Sequence, residues 1–322
     1  MTQVRKKPVY QDIFGLPMNI SFSPECVRGT IQYKPRDDDI FIVTFPKCGT
    51  TWTQHIVHNI LSKGEPFESF EDFQIRSPFM EMLGPKTAEV MPRPRAIKTH
   101  LPFHLNPYSP KAKYIYVARN PKDCCVSFYH HTKMFPEYQF TDGSFDDFFE
   151  VFMNGENDWG DYFDHLLSWY EHRLDSNVLF ITYEEMKADT RAAILKIASF
   201  LDQTYKDLLE SDEKLIDKIL YQTSSDYMRK HLNEQMENFY CNPVFHRNET
   251  PEGIKYINEY FKNQKIEMPN EMKFVRKAAV GDWKNYFSAA QSKLMMERFK
   301  EKTRGTDIAN LWPDMFTDVT GN

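Results

Sequence analysis

The stretch that most constrains this chain is residues 39–62, DIFIVTFPKCGTTWTQHIVHNILS. Its opening run, Ile40 to Phe45, is short, apolar and largely β-branched, which predicts a buried parallel strand. Pro46, Lys47, Cys48 and Gly49 make a turn. From Trp52 onward Ile56, Val57, Ile60 and Leu61 recur at helical spacing. The order is strand, tight turn, helix. The helix opens on two hydroxyls, Thr50 and Thr51, with Lys47 beside them. Free N–H groups and the helix dipole both favour negative charge at such a start, so the stretch predicts an anion site. An ordinary βα turn with a threonine cap has the same outline.

The spacing excludes one kind of anion loop. A Walker loop runs G-x-x-x-x-G-K-[ST], with its lysine after the second glycine. Here Lys47 precedes Gly49, and the turn holds a single glycine.

The rest of the chain places this unit in a larger fold. Lys113 to Arg119 and Asn177 to Tyr183 are two further apolar strands, and Arg95 to His100 is a shorter one. Asn120-Pro121 starts a helix, with proline where its missing N–H costs nothing. Two helices rich in Phe and Trp are expected within 145–175, amphipathic ones near 185–202 and 213–231, and a last one near 288–303. Strands alternating with helices predict an α/β fold: a single domain over 1–322, with a central parallel sheet flanked by helices. Residues 1–38 read as an N-terminal cover with a strand-like fragment at Gly29–Tyr33. Residues 63–95, rich in Phe, Pro and Met, suit the wall of an apolar cavity or ordinary core. Residues 232–275 are polar and read as an irregular lid or loop over the site.

Ligands of open α/β sheets bind beyond the carboxyl ends of the strands. Those ends deliver Lys47, then Lys98 and His100, then Arg119, then Tyr183; Arg276 and Lys277 add cations just before Gly281-Asp282-Trp283. No strand ends in the aspartate that an ATPase or kinase uses to hold Mg²⁺. The set suits a ligand with several anionic groups and no obligatory metal. Each member also has a plainer reading, as an exposed strand end or a surface ion pair. Net charge is −6 with pI near 6.0, against a general nucleic-acid or membrane-surface binder, so basic function must be local. The five cysteines, Cys26, Cys48, Cys124, Cys125 and Cys241, lack metal-ligand spacing and fit reduced thiols in a cytoplasmic protein.

Four segments in order, FPKCGTTW, KTHLP, ARNPKDCCVSFYH and RKAAVGDWKNYF, resemble the cytosolic sulfotransferases over nearly the whole chain. The resemblance implies a P-loop-like sulfotransferase fold. It implies transfer of a sulfuryl group from 3′-phosphoadenosine 5′-phosphosulfate (PAPS) to a hydroxyl or amine, leaving 3′-phosphoadenosine 5′-phosphate (PAP). By that resemblance Lys47, Cys48, Gly49, Thr50 and Thr51 hold the 5′-phosphosulfate, and Trp52 packs on the adenine with Tyr183, Thr223 and Ser225. Arg119 and Ser127 take the 3′-phosphate, joined by Arg276, Lys277 and Ala278. His100 matches the catalytic base, with Lys47 and Lys98 at the transferring group. Phe45, Phe79, His100 and His131 are the expected acceptor wall.

This chain departs from the family pattern at several places. Cys48 stands where serine is usual, and its place at a helix start beside Lys47 predicts an acidic thiol. Ser225 stands where a phenylalanine commonly packs on adenine. Ala278 replaces a glycine, which matters if φ there is positive. The family's dimer segment K-x-x-x-T-V-x-x-x-E is matched from Lys284 by KNYFSAAQSK, with Ser288, Ala289 and Lys293 replacing Thr, Val and Glu. A monomer, or a dimer through another surface, is the expectation. The expected partner is a small aromatic acceptor, such as a phenol or monoamine. A P-loop-type nucleotide kinase and a non-catalytic nucleotide-binding module are the two other readings.

Overall fold

The computed structural model describes residues 6–241, 249–265 and 273–316. Strands β1 (Tyr10–Ile13) and β2 (Leu16–Asn19) pair as an antiparallel hairpin. Helix α1 (Pro24–Ile31) follows, with the Ser23 hydroxyl accepting the Cys26 N–H and proline at its start. That cap corrects the strand expected at Gly29–Tyr33. The β-branched Thr30 and Ile31 are carried into the helix by its start signals and by burial of Val27 and Thr30.

Strand β3 (Asp39–Thr44) leads through the turn into α2 (Thr50–Leu61). Helices α3 (Phe70–Arg76), α4 (Met80–Leu83) and α5 (Lys86–Val90) precede β4 (Arg95–Thr99). Strand β5 (Lys113–Ala118) runs into α6 (Pro121–Met134), capped by Asn120. Helices α7 (Phe145–Met153) and α8 (Tyr162–Tyr170) come before β6 (Val178–Thr182). The four strands are parallel, in the order β4-β3-β5-β6. After β3 the chain crosses to one neighbour and then to the other, so the carboxyl end of β3 is the switch point where α/β sheets open a crevice.

Alternation along the strands splits the core by face. Phe41, Val43, Tyr114 and Tyr116 join an aromatic core that includes Phe128, Phe148, Trp169 and Phe299. Ile40, Ile42, Ile115 and Val117 join an aliphatic core with Ile56, Ile194 and Ile219. Each such buried side chain contributes about 1.5–3 kcal/mol relative to exposure.

Beyond β6 lie α9 (Tyr183–Ala188), α10 (Thr190–Leu201), α11 (Gln203–Ser211), α12 (Glu213–Gln222), α13 (Ser225–Cys241), α14 (Glu252–Gln264) and α15 (Ala289–Lys302). The irregular reading of 232–275 is thus corrected for its described part, where 232–241 and 252–264 are helical. Both helices are polar outside and bury one narrow face. Leu232, Met236, Ile254 and Ile257 meet Phe70, Phe73 and Leu83 in a third cluster. Residues 242–248 and 266–272 of that segment lie outside the described residues.

Candidate active site

The turn after β3 has an unusual backbone. Lys47 takes φ +69° and Gly49 φ +96°, both left-handed. A Cβ on Gly49 would stand 2.8 Å from Tyr183 Cδ2, so glycine is required for both reasons. The turn opens into a cavity of about 250 Å³ at the carboxyl ends of the strands.

Most of the expected residues meet there. Lys47, Gly49, Thr50, Thr51, Trp52, Phe79, Lys98, His100, Arg119, Ser127, His131, Tyr183, Thr223, Ser225, Arg276, Lys277 and Ala278 all line the cavity. Two do not. Phe45 is fully buried behind the turn, edge-on to Phe128, Phe152 and Tyr162, so it is core rather than acceptor wall. Cys48 is also fully buried, with Sγ 3.8 Å from the Pro46 carbonyl and 3.7 Å from Cys124 Sγ. Burial, then the Cys124 thiol, pushes its pKa well up, opposite to the acidic thiol expected from its place in the chain. The side chain points into protein, away from the helix start that was to acidify it.

His100 sits between rings, 5.1 Å from Phe79 and 4.8 Å from Trp159. Its Nδ1 is 2.7 Å from the Thr44 carbonyl, which assigns the proton to Nδ1 and leaves Nε2 with its lone pair. Burial, then Lys98, holds its pKa well below the ordinary range, so the ring is neutral at physiological pH. Its peptide N–H donates to Glu81 at 2.6 Å, and its carbonyl faces His165 Nε2 at 2.9 Å.

Lys47 and Lys98 make no ion pair among the described residues, although the Glu81 carboxyl is close enough to favour the charged form of Lys98. Lys47 Nζ lies over Phe274 at 4.3 Å, and Lys98 Nζ over Phe79 at 3.8 Å. Burial, then Lys98 and Arg119, brings Lys47 down to about 7; burial brings Lys98 to about 8. Arg119 donates to the Lys47 and Ala279 carbonyls at 2.8 and 3.2 Å and stacks over Tyr183. Arg276 and Lys277 both reach Asp282, at 2.5 and 2.7 Å. Asp123 on α6 accepts the Gly281 and Trp283 N–H groups, which ties that loop to the sheet. Ala278 is left-handed at φ +53°, the conformation that makes its missing glycine consequential. Trp52 donates to the Thr223 carbonyl at 2.8 Å and meets Tyr183 edge-on.

The comparisons with known proteins bear on this geometry. Residues 37–252 match the sulfotransferase domain. The chain belongs to the sulfotransferase family. It is 36% identical to sulfotransferase 1C2 of Rattus norvegicus over 286 residues, 86% of each chain. It is 36% identical to the amine sulfotransferase of Oryctolagus cuniculus over 296 residues, 90% of this chain and 89% of that one. Among solved structures it is similar to mouse sulfotransferase SULT7A1 complexed with PAP. That pair shares 30% identity at a TM-score of 0.70, covering 95% of this chain and 99% of that one. This sulfotransferase is therefore an enzyme of the sulfuryl-transferring class.

Several residues of the site carry no signal in the sequence. Glu137, Trp159, Lys187 and Phe274 line the cavity and Glu81 holds the His100 N–H from behind it; none belongs to a motif, and only the tertiary fold brings them to the site.

Proposed function

We propose that this sulfotransferase moves a sulfuryl group from PAPS to a hydroxyl of a small aromatic acceptor by in-line displacement. The observation carrying this reading is a neutral histidine with a free Nε2 in one cavity with two lysines that make no ion pair among the described residues. PAPS supplies the activated sulfuryl group and a leaving phosphate. Arg119 has an unpartnered buried Nε, and neither Lys47 nor Lys98 makes an ion pair among the described residues; these vacancies fit an anionic donor.

Each residue then has a task. His100 Nε2 takes the proton as the acceptor oxygen attacks sulfur. Thr44 fixes the tautomer through Nδ1. Lys47 and Lys98 stabilise charge gathering on the bridging oxygen as its bond to sulfur breaks. Lys47, Thr50 and Thr51 hold the 5′-phosphosulfate at the start of α2. Trp52, Tyr183, Thr223 and Ser225 embrace the adenine. Arg119, Ser127, Arg276, Lys277 and the backbone at Ala278 grip the 3′-phosphate, a distant handle that orients the reacting end. Phe79 and His131 wall the acceptor. Met236, Ile257 and Phe261 line the cavity from α13 and α14, and this pair is the lid.

His100→Ala tests the reading. Turnover should fall about a hundredfold or more while PAP still binds, because the imidazole makes no donor contact. Turnover within a few-fold of wild type would sink the assignment. A kinase reading is tested in the same assay, since sulfation should persist in EDTA and ATP should not replace PAPS.

A further inference from the structure

After α15 the chain makes two short helical turns, Ile308–Leu311 and Pro313–Phe316. They lie outside residues 37–252, which match the family's domain, and none of them lines the cavity. Yet Ile308, Trp312 and Met315 are buried in the aromatic core, with the Trp312 ring against Phe299. Two polar contacts fix where this segment sits. The buried Lys122 ammonium on α6 donates to the Met315 carbonyl at 3.0 Å and to the Ser292 hydroxyl at 2.8 Å. The Trp312 indole N–H donates to Glu184 Oε2 at 2.7 Å.

Glu184 is the second residue of α9, directly after Tyr183. Its other oxygen, Oε1, accepts the Asn120 N–H at 3.0 Å. Asn120 caps α6 and follows Arg119 in the chain. Burial raises the Glu184 pKa, the Asn120 and Trp312 N–H groups pull it back, and the Arg119 guanidinium is close enough to add to that pull. Even so, the two side chains do not pair. Arg119 gives its terminal nitrogens to the Lys47 and Ala279 carbonyls, its Nε has no partner, and it makes no ion pair among the described residues. Both Glu184 oxygens are engaged elsewhere, one of them by Trp312.

We propose that Trp312 is a positioning residue for the 3′-phosphate end of the donor site: its indole N–H holds the Glu184 carboxylate toward Asn120 and keeps Arg119 open to phosphate. The inference rests on the assignment of Arg119 to the 3′-phosphate and deepens it. A half-buried carboxylate that loses a donor turns to another, and a buried guanidinium nearby is a strong one. An Arg119–Glu184 pair then competes with the phosphate for the same guanidinium. It also sets a like charge beside the incoming anion. An indole N–H is a neutral donor, so it restrains the acid without adding charge of its own.

Calorimetric titration with PAP and with adenosine 5′-phosphate, which lacks only the 3′-phosphate, reads that end of the site separately. Trp312→Phe should weaken PAP binding about tenfold and leave adenosine 5′-phosphate binding within about twofold of wild type. Adding Glu184→Gln to that variant removes the competing charge, and the ratio of the two affinities should return to within about threefold of wild type. A Trp312→Phe variant that keeps the wild-type ratio overturns the inference and leaves the proposed function intact. So does equal weakening of both nucleotides, the mark of a merely structural role, and so does a double variant without recovery. Equal affinity of the wild-type enzyme for PAP and adenosine 5′-phosphate overturns the 3′-phosphate assignment together with the inference. The tryptophan analogue with sulfur in place of the indole nitrogen, placed at position 312, keeps the bicyclic shape and lacks only the N–H. It should show the same selective loss, and a wild-type ratio there overturns the inference even where the Trp312→Phe chain fails to fold.

Discussion

Lys47 is an acid poised near neutrality. Its pKa of about 7 reflects burial first and the neighbouring cations second. A bound phosphate favours its charged form, so donor binding raises that pKa and takes up a proton. The sign follows: affinity for PAP is greatest at and below pH 7 and weakens as pH rises through it, by up to about one decade per pH unit. Titration calorimetry at pH 8 in buffers of differing ionisation enthalpy should show net proton uptake. Ala278 belongs to the same scale. An L-residue in the left-handed region is strained by roughly 1 kcal/mol, which Ala278→Gly relieves. Urea unfolding should show the glycine variant more stable by up to about that amount. Cys48 is the third case. Its buried, raised thiol should stay unmodified by iodoacetamide in the folded enzyme, as read by peptide mass spectrometry.

The turn between β3 and α2 is the element on which the site depends. Gly49→Ala adds a Cβ 2.8 Å from the Tyr183 ring and forces alanine to φ +96°. Tyr183 also stacks under Arg119, so moving it disturbs the adenine side and the 3′-phosphate side together. Loss of PAP binding with the fold retained is the expected outcome, measurable by calorimetry and circular dichroism. Helices α13 and α14 are held by the third cluster alone of the three cores. Leu232 is 2% exposed within it, and Leu232→Ala should cost about 2–4 kcal/mol locally. Limited proteolysis should then cut within 225–265 well before the sheet unfolds.

At the scale of the molecule, the expectation for assembly rests on residues 284–293. Ser288 caps α15 through the Gln291 N–H, and Lys293 is exposed beside Glu297 at 3.9 Å. In a two-fold contact each replaced residue counts twice, and a small interface has little affinity in reserve. A monomer at micromolar concentration, or a dimer through another face, is expected from light scattering on a size-exclusion column. A dimer crosslinked through 284–293 would contradict it.

Strand and helix identities along β3, β4, β5 and β6 were legible in the sequence because their periodicity and caps are local. The cations and His100 were legible for a related reason, since strand ends converge in any parallel sheet. Local signals failed where neighbours decide. Phe45 and Cys48 lie inside the motif, yet alternation along the strand and the turn that follows direct their side chains into the core. The polarity of 232–238 and 252–264 describes the outer faces of α13 and α14, while the narrow face they bury is defined by Phe70, Phe73 and Leu83. Glu137 has no motif at all. Its burial beside Asp158 exists only once the chain has folded.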